Sequence, residues 1–165
     1  MSSHSVVLPP DQYVASLARK RMAAGALFRD AAGQVLLVEP TYKPNWEIPG
    51  GAVEQDESPP AACRREVVEE LGLHRPVGRV LAVDWVPSRP ERPEGLILVY
   101  DGGVLTDDDV AAIRLNTDEL ASYAFIEAER VGELASALLA RRIAACLEAV
   151  AAGTALSLEN GVPVG

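Results

Sequence analysis

Cysteine, histidine and aromatic residues are scarce in this chain of 165 residues, which holds two cysteines, two histidines and 5% aromatic side chains. Cys63 and Cys146 are isolated from each other and read as reduced core residues rather than a disulfide framework. No Cys/His spacing suits zinc, and His4 and His74 stand too far from other functional groups to assign catalytic work. Long apolar runs are also missing. The best candidate, "ASALLARRIAACLEAVAAG", is broken by Arg141, Arg142 and Glu148, whereas a bilayer-spanning helix needs about 20 apolar residues. The opening "MSSHSVVLPP" has neither the basic region nor the apolar core of a secretion signal. The expectation is a cytoplasmic protein that does not engage a membrane. Basic residues are few as well: 15 against 24 acidic, a net charge of −9. That argues against sequence-independent DNA or RNA binding, which needs a basic face. A small polyanionic substrate stays compatible if a metal ion screens the contact.

What is present suits one domain with a full core. Residues 1–20 read as an extension, either a short helix or irregular. From Arg21, "MAAGALF" and "QVLLVEP" are strand-like runs joined by the turn "RDAAG". The loop "TYKPNWEIPGG" leads to a helix. "RVLAVDWVP" and "GLILVYDGG" are further strands, separated by the proline-rich "SRPERPE". The polar stretch "LTDDDVAAIRLNTDEL" precedes a short strand, "YAFI". Apolar spacing at Val131, Leu134, Leu138, Ile143 and Leu147 predicts helix toward Ala152. Residues 153–165, "GTALSLENGVPVG", read as a tail that frays. Strands around an early helix, with a second helical segment closing the chain, predict a mixed β-sheet sandwiched between α-helices. The domain is placed at 21–152.

The early helix carries the chemistry. Ser58 is a good N-cap, Pro59 fits the first helical position, and Gly72 is the expected stop. At about 100° per residue, Glu69 and Glu70 fall within roughly 60° of Glu66. Ala61, Val67, Val68 and Leu71 form the opposite, core-facing wedge, in which Arg64 also lands. Like charges at these spacings cost about 0.2–0.5 kcal/mol per pair, and they crowd the negative end of the helix dipole. A divalent ion would relieve both penalties, and hard carboxylate oxygens prefer Mg²⁺ or Mn²⁺. A bare "EVVEE" is usually a solvated acidic face, so the wider spacing decides.

Gly51 is followed by Glu57, Arg65-Glu66, Val67, Glu69-Glu70, Gly72 and Leu73. This pattern resembles the signature of the Nudix hydrolases at every specified position. Seven fixed residues and two aliphatics coincide by chance on the order of once in a billion windows. The resemblance implies the Nudix fold, an α/β sandwich, over about residues 21–150. It implies that Glu66, Glu69 and Glu70 bind metal with the Gly50 carbonyl. It also implies that Arg65 and Glu57 brace the loop against the helix. The implied activity is Mg²⁺-assisted cleavage of a diphosphate bond in a nucleoside diphosphate linked to another moiety. Glu66 and Glu69 are candidates for the general base. Outside the motif Glu119 is the first choice and Asp118 the second, each against a plain surface role. Trp46, Tyr42 and Phe125 are candidates for stacking on a base, and Arg89 and Arg92 for reaching phosphates, with core packing or simple solvation as the alternatives. A nucleotide-sensing domain without turnover is the competing reading, disfavoured because all motif glutamates are retained. Whether the chain forms a homodimer is left open by the sequence.

Overall fold

The early glycine-punctuated apolar runs build the middle of a sheet in the computed structural model, which describes residues 8–165. Strands β1 (Arg21–Arg29) and β2 (Val35–Pro40) flank a turn in which the Asp30 carboxylate accepts from the backbone N–H groups of Ala32 and Gln34. Strand β3 (Gly50–Ala52) pairs antiparallel with β1, and helix α2 (Pro59–Leu71) follows. A short helix α1 (Pro10–Ser16) precedes them and buries no residue. Next come β4 (Val80–Val86), β5 (Gly95–Val104), helix α3 (Asp107–Ala112) and β6 (Leu120–Ile126). A 3-10 turn at Ala128–Arg130 leads into α4 (Val131–Leu134) and α5 (Ala137–Ala152). Strands β7 (Leu156–Glu159) and β8 (Val162–Pro163) finish the chain.

The strands form one mixed sheet in the order β6-β2-β1-β5-β4-β7-β8, with β3 also on β1. The β1–β5 and β4–β7 pairs are parallel and the others antiparallel. Each face carries its own core. One holds Leu27, Leu37, Leu81 and Val99 against α4 and α5. The other holds Phe28, Leu36, Val38 and Leu105 against α2. The expected α/β sandwich is therefore present. Cys63 and Cys146 are free and buried, one in each core, and burial pushes both thiols up to about 12, where they are inert.

Several sequence expectations need correction. The tail does not fray: β7 extends the sheet beside β4, and Leu158 is buried. The reason lies in Asn160-Gly161, both at positive φ, the dipeptide favoured in tight hairpin turns. The helical segment is broken at Ala135-Ser136, where Ser136 caps α5 by accepting from the Leu139 N–H. That restart shifts the buried stripe to Leu139, Ile143, Cys146 and Ala149, instead of Leu138 and Leu147. The polar stretch contains α3, held by a capping box between Thr106 and Asp109. On α2 the buried residues are Ala62, Cys63, Val67, Glu70 and Leu71, while Arg64 lies in solvent.

One charged pair crosses the core beside α5. Arg142 donates to Asp84 on β4 (Nε to Oδ2, 2.7 Å), and the other Asp84 oxygen accepts from the Gly161 N–H at 3.0 Å. Arg79 donates to the carbonyls of Ala149 and Thr154, satisfying the C-terminal end of α5. Helix, tail hairpin and β4 are thereby held together.

Candidate functional site

Two adjacent glycines set the geometry. At Gly50, where φ is +147°, a Cβ would lie 2.4 Å from the Ala24 carbonyl oxygen and the Gly25 Cα. At Gly51 it would lie 2.4 Å from the Glu66 carboxyl group. The missing side chains let β3 press against β1 on one side and receive the α2 carboxylates on the other.

Helix α2 starts where the sequence predicts, with Ser58 at the N-cap and Pro59 first, although the Ser58 side chain makes no cap bond. Gly72 ends it in the left-handed region at φ +67°. Arg65 is the clamp. Its Nε and Nη2 grip both Glu57 oxygens at 2.9 and 3.0 Å, and Nη2 also reaches the Ala52 carbonyl at 3.0 Å. Its Nη1 bonds Glu66 at 2.8 Å and Glu69 at 3.1 Å. The side-chain bond from Arg65 holds the Glu57 carboxyl below its usual range, and Glu57 in turn raises the Arg65 guanidinium. Burial raises Glu66, against the opposing pull of Arg65.

Glu70 differs from its neighbours. Spaced three residues from Val67 and seven from Cys63, it occupies a core position of the helix, at 8% exposure. Its Oε2 accepts from the Gly50 N–H at 2.9 Å. Burial pushes its carboxyl up to about 8, offset in part by that bond and reinforced by the nearby charges of Glu66, Glu119 and Glu47.

Glu119 reaches this cluster because the chain after α3 is fastened to the end of α2. The N–H groups of Arg114 and Asn116 donate to the carbonyls of Leu71 and Glu70 at 2.7 and 2.9 Å. The Thr41 N–H holds the Glu119 carbonyl at 2.8 Å. The exposed Glu119 carboxylate is close enough to raise both Glu66 and Glu70. Asp118 contributes only loop bonds to Thr41 and Asn116.

As they stand, no three acidic, His or Cys side chains among the described residues are gathered tightly enough to hold a metal ion. Protein donors occupy them instead: Arg65 on Glu66 and Glu69, and the Gly50 N–H on Glu70. The chemistry of the set nevertheless fits a hard divalent cation. Its donors are carboxylate oxygens, and among the described residues the most buried of them has a backbone amide as its only hydrogen-bond donor and no ion-pair partner. An ion would take over the Arg65 bonds to Glu66 and Glu69, leaving the bidentate Glu57 grip in place.

Glu70, Gly50, Gly51 and Ala52 form part of the wall of a cavity of about 570 Å³, a size typical of small-molecule sites. Tyr42 and Arg89 also line it. Trp46 and Phe125 do not. The Trp46 N–H is bonded to the Leu134 carbonyl and its ring packs on the α5-side core. Phe125 faces the α2-side core from β6, opposite Leu36. Sequence reasoning missed Arg21 and Arg142, both of which line the cavity. The available signal was an arginine placed among the core-facing positions of α5.

Replacing Gly51 with Ala should put a methyl group where the Glu66 carboxylate now sits. Because that carboxylate is the end of a flexible side chain, the fold should survive while Glu66 is displaced. Any reaction that uses Glu66 should slow about 100-fold, with an unchanged circular dichroism spectrum.

A model of the NUDIX domain matches residues 19–146. Rat diphosphoinositol polyphosphate phosphohydrolase 2 is 42% identical over 66 residues, covering 39% of this chain and 37% of that protein. The alignment thus spans less than half the length of the curated relatives that match. Solved structures share the fold, two of them as follows. A UDP-X diphosphatase superposes with a TM-score of 0.70 at 18% identity, over 92% of this chain and 76% of that one. The MutT protein of Methanosarcina mazei Go1 gives 0.64 at 24% identity, over 84% and 99%. With its complete run from Gly51 to Leu73 set on a loop and helix of this architecture, the chain belongs to the Nudix family.

Proposed function

We propose that this chain is a Mg²⁺- or Mn²⁺-dependent hydrolase that cleaves the diphosphate bond of a nucleoside diphosphate linked to another moiety. The observation that carries the reading is Glu70: a carboxylate buried in a cavity wall, bonded to the Gly50 N–H, beside Glu66 and Glu69. Glu66, Glu69, Glu70 and the Gly50 carbonyl would hold the ion. A bound divalent cation supplies charge neutralisation for the phosphate oxygens and polarisation at phosphorus. The remaining work falls to the chain's own groups. Arg65, gripping Glu57 and the Ala52 carbonyl, braces the loop after Gly51 against α2. Glu119 stands beside Glu66 and Glu70, exposed to water, and suits proton removal from a nucleophilic water. Glu66 and Glu69 compete for that role only when free of ligand duty. Tyr42 and Arg89 line the side of the cavity available to the rest of the substrate.

The names of the relatives point the same way, since diphosphoinositol polyphosphates and UDP derivatives both contain diphosphate bonds. A sensing domain without turnover fits less well, because nothing in the Glu66, Glu69 and Glu70 set is lost.

Phosphate or nucleotide release from a panel of nucleoside diphosphate derivatives, with Mg²⁺, with Mn²⁺ and with chelator, tests the proposal. Metal-dependent turnover of at least one compound is expected, and binding without turnover across the panel would favour the sensor. Mg²⁺ should also raise the melting temperature. At a hundred times its dissociation constant a ligand of the native state contributes about 2.7 kcal/mol, or roughly 5–11 °C in a domain of this size. A flat titration at millimolar metal would count against the ligand assignment.

A further inference from the structure

We propose that the cavity has a second, phosphate-binding pole built from Arg21, Arg89 and Arg92, so that the substrate carries an anionic phosphate outside the scissile diphosphate. This deepens the hydrolase reading and rests on it for the identity of the other pole. All three arginines line the same cavity as Glu70 and Gly51. They reach it from two directions, Arg21 from the start of β1 and the other two from the loop between β4 and β5.

Among the described residues the side chains of Arg21 and Arg92 have no hydrogen-bond acceptor, and Arg89 has only a long bond from Nη2 to Asn160 Oδ1 at 3.4 Å. Arg21 lies along Gly95, where a Cβ would come within 3.0 Å of its Nη2 and 3.1 Å of its Cζ. Its Nε is buried and has no hydrogen-bond partner among the described residues, a costly state for a guanidinium donor. Arg89 and Arg92 exchange backbone bonds of 2.8 and 3.0 Å, which set two like charges directly across a tight turn. Pro90 within the turn and Pro93 after it stiffen the loop, so little freedom is lost when a ligand docks.

The charge balance is local and unusual. In a chain with net charge −9, none of these three arginines forms an ion pair among the described residues. The other cations of the cavity are already matched: Arg142 by Asp84 and Lys43 by Glu47. Glu91, on the same turn, also lines the cavity and forms no ion pair with the three arginines. Burial, then the charges of Arg92 and Arg142, hold the Arg21 guanidinium below its ordinary value, as expected of cations left facing one another. A phosphate group supplies oxygens for several arginine donors at once. A neutral sugar or base at this end would leave the repulsion in place.

Two measurements test the proposal. The first is binding of inorganic phosphate and pyrophosphate to the protein in chelator, followed by calorimetry, for the wild type, Arg21→Gln and Arg92→Gln. Binding should weaken about tenfold or more in each variant. The second compares matched substrates that differ by one phosphate monoester, NADPH with NADH and coenzyme A with dephospho-coenzyme A. The wild type should favour a phosphorylated member about tenfold in kcat/KM, through KM, and the ratio should fall toward one in the variants. Unchanged anion binding in both variants, or equal rates within every hydrolysed pair, would overturn the second pole. Lost anion binding in the variants with no hydrolysis of any compound would support the pole and count against the hydrolase reading.

Discussion

Replacing Arg142 with Met is expected to cost about 3–5 kcal/mol of folding stability, the usual penalty for removing one partner of a buried ion pair. In a domain of this length that lowers Tm by roughly 6–20 °C. Asp84 is fully buried and Arg142 nearly so. Methionine fills much of the arginine stem's volume, so the loss isolates the charge rather than a cavity. What remains is a carboxylate inside the sheet with the Gly161 N–H as its single donor among the described residues. Desolvation of that carboxylate is then no longer offset.

The effect should spread beyond the pair. Asp84 joins β4 to α5 through Arg142 and to the terminal hairpin through Gly161. Adding Asp84→Asn to Arg142→Met should recover at least half of the loss, since Asn still accepts from Gly161 and carries no charge. Urea unfolding of the wild type, both single variants and the double variant closes the cycle. A loss below about 1 kcal/mol for Arg142→Met would mean that water reaches Asp84.

These contacts show where sequence reasoning reaches its limit. The limits of α2 were legible because their signals are local: Ser58 before it, Pro59 at its start, Gly72 at its end. The principal strands were legible from their apolar runs. The terminal hairpin was missed because it buries little and looks polar, although Asn160-Gly161 signals a tight turn on its own. Its stability comes from β4 and Asp84, which are distant in sequence. The phase of α5 was missed for a related reason. A periodicity carried through from Val131 ignores the new cap at Ser136.

The site divides along the same line. The Arg65 clamp on Glu57 joins residues eight apart and is implied by the motif. The approach of Glu119 depends on backbone bonds from Arg114 and Asn116 to the end of α2, which no periodicity reveals. Trp46 and Phe125 show the converse. An aromatic residue near the site in sequence turns inward when its backbone is fixed to a neighbouring strand or helix, because burying the ring is worth a few kcal/mol.

Glu70→Gln should separate folding from chemistry more cleanly than any other change. The amide oxygen of Gln can keep the 2.9 Å bond from the Gly50 N–H. The substitution also keeps, at every pH, the uncharged form that burial and the charges of Glu66, Glu119 and Glu47 favour in the absence of metal. In chelator the variant should therefore melt no lower than the wild type. With Mg²⁺ the order should reverse. Glu70 is the buried, cavity-facing member of the carboxylate set, so losing its charge removes the oxygen best shielded from competing water. The metal-induced rise in Tm should shrink, and turnover should fall by about 10²–10³-fold, the scale of losing one preorganised electrostatic group. A variant that melts early in chelator would show that the carboxylate serves the fold. One that keeps both the wild-type rate and the full metal shift would remove Glu70 from the site.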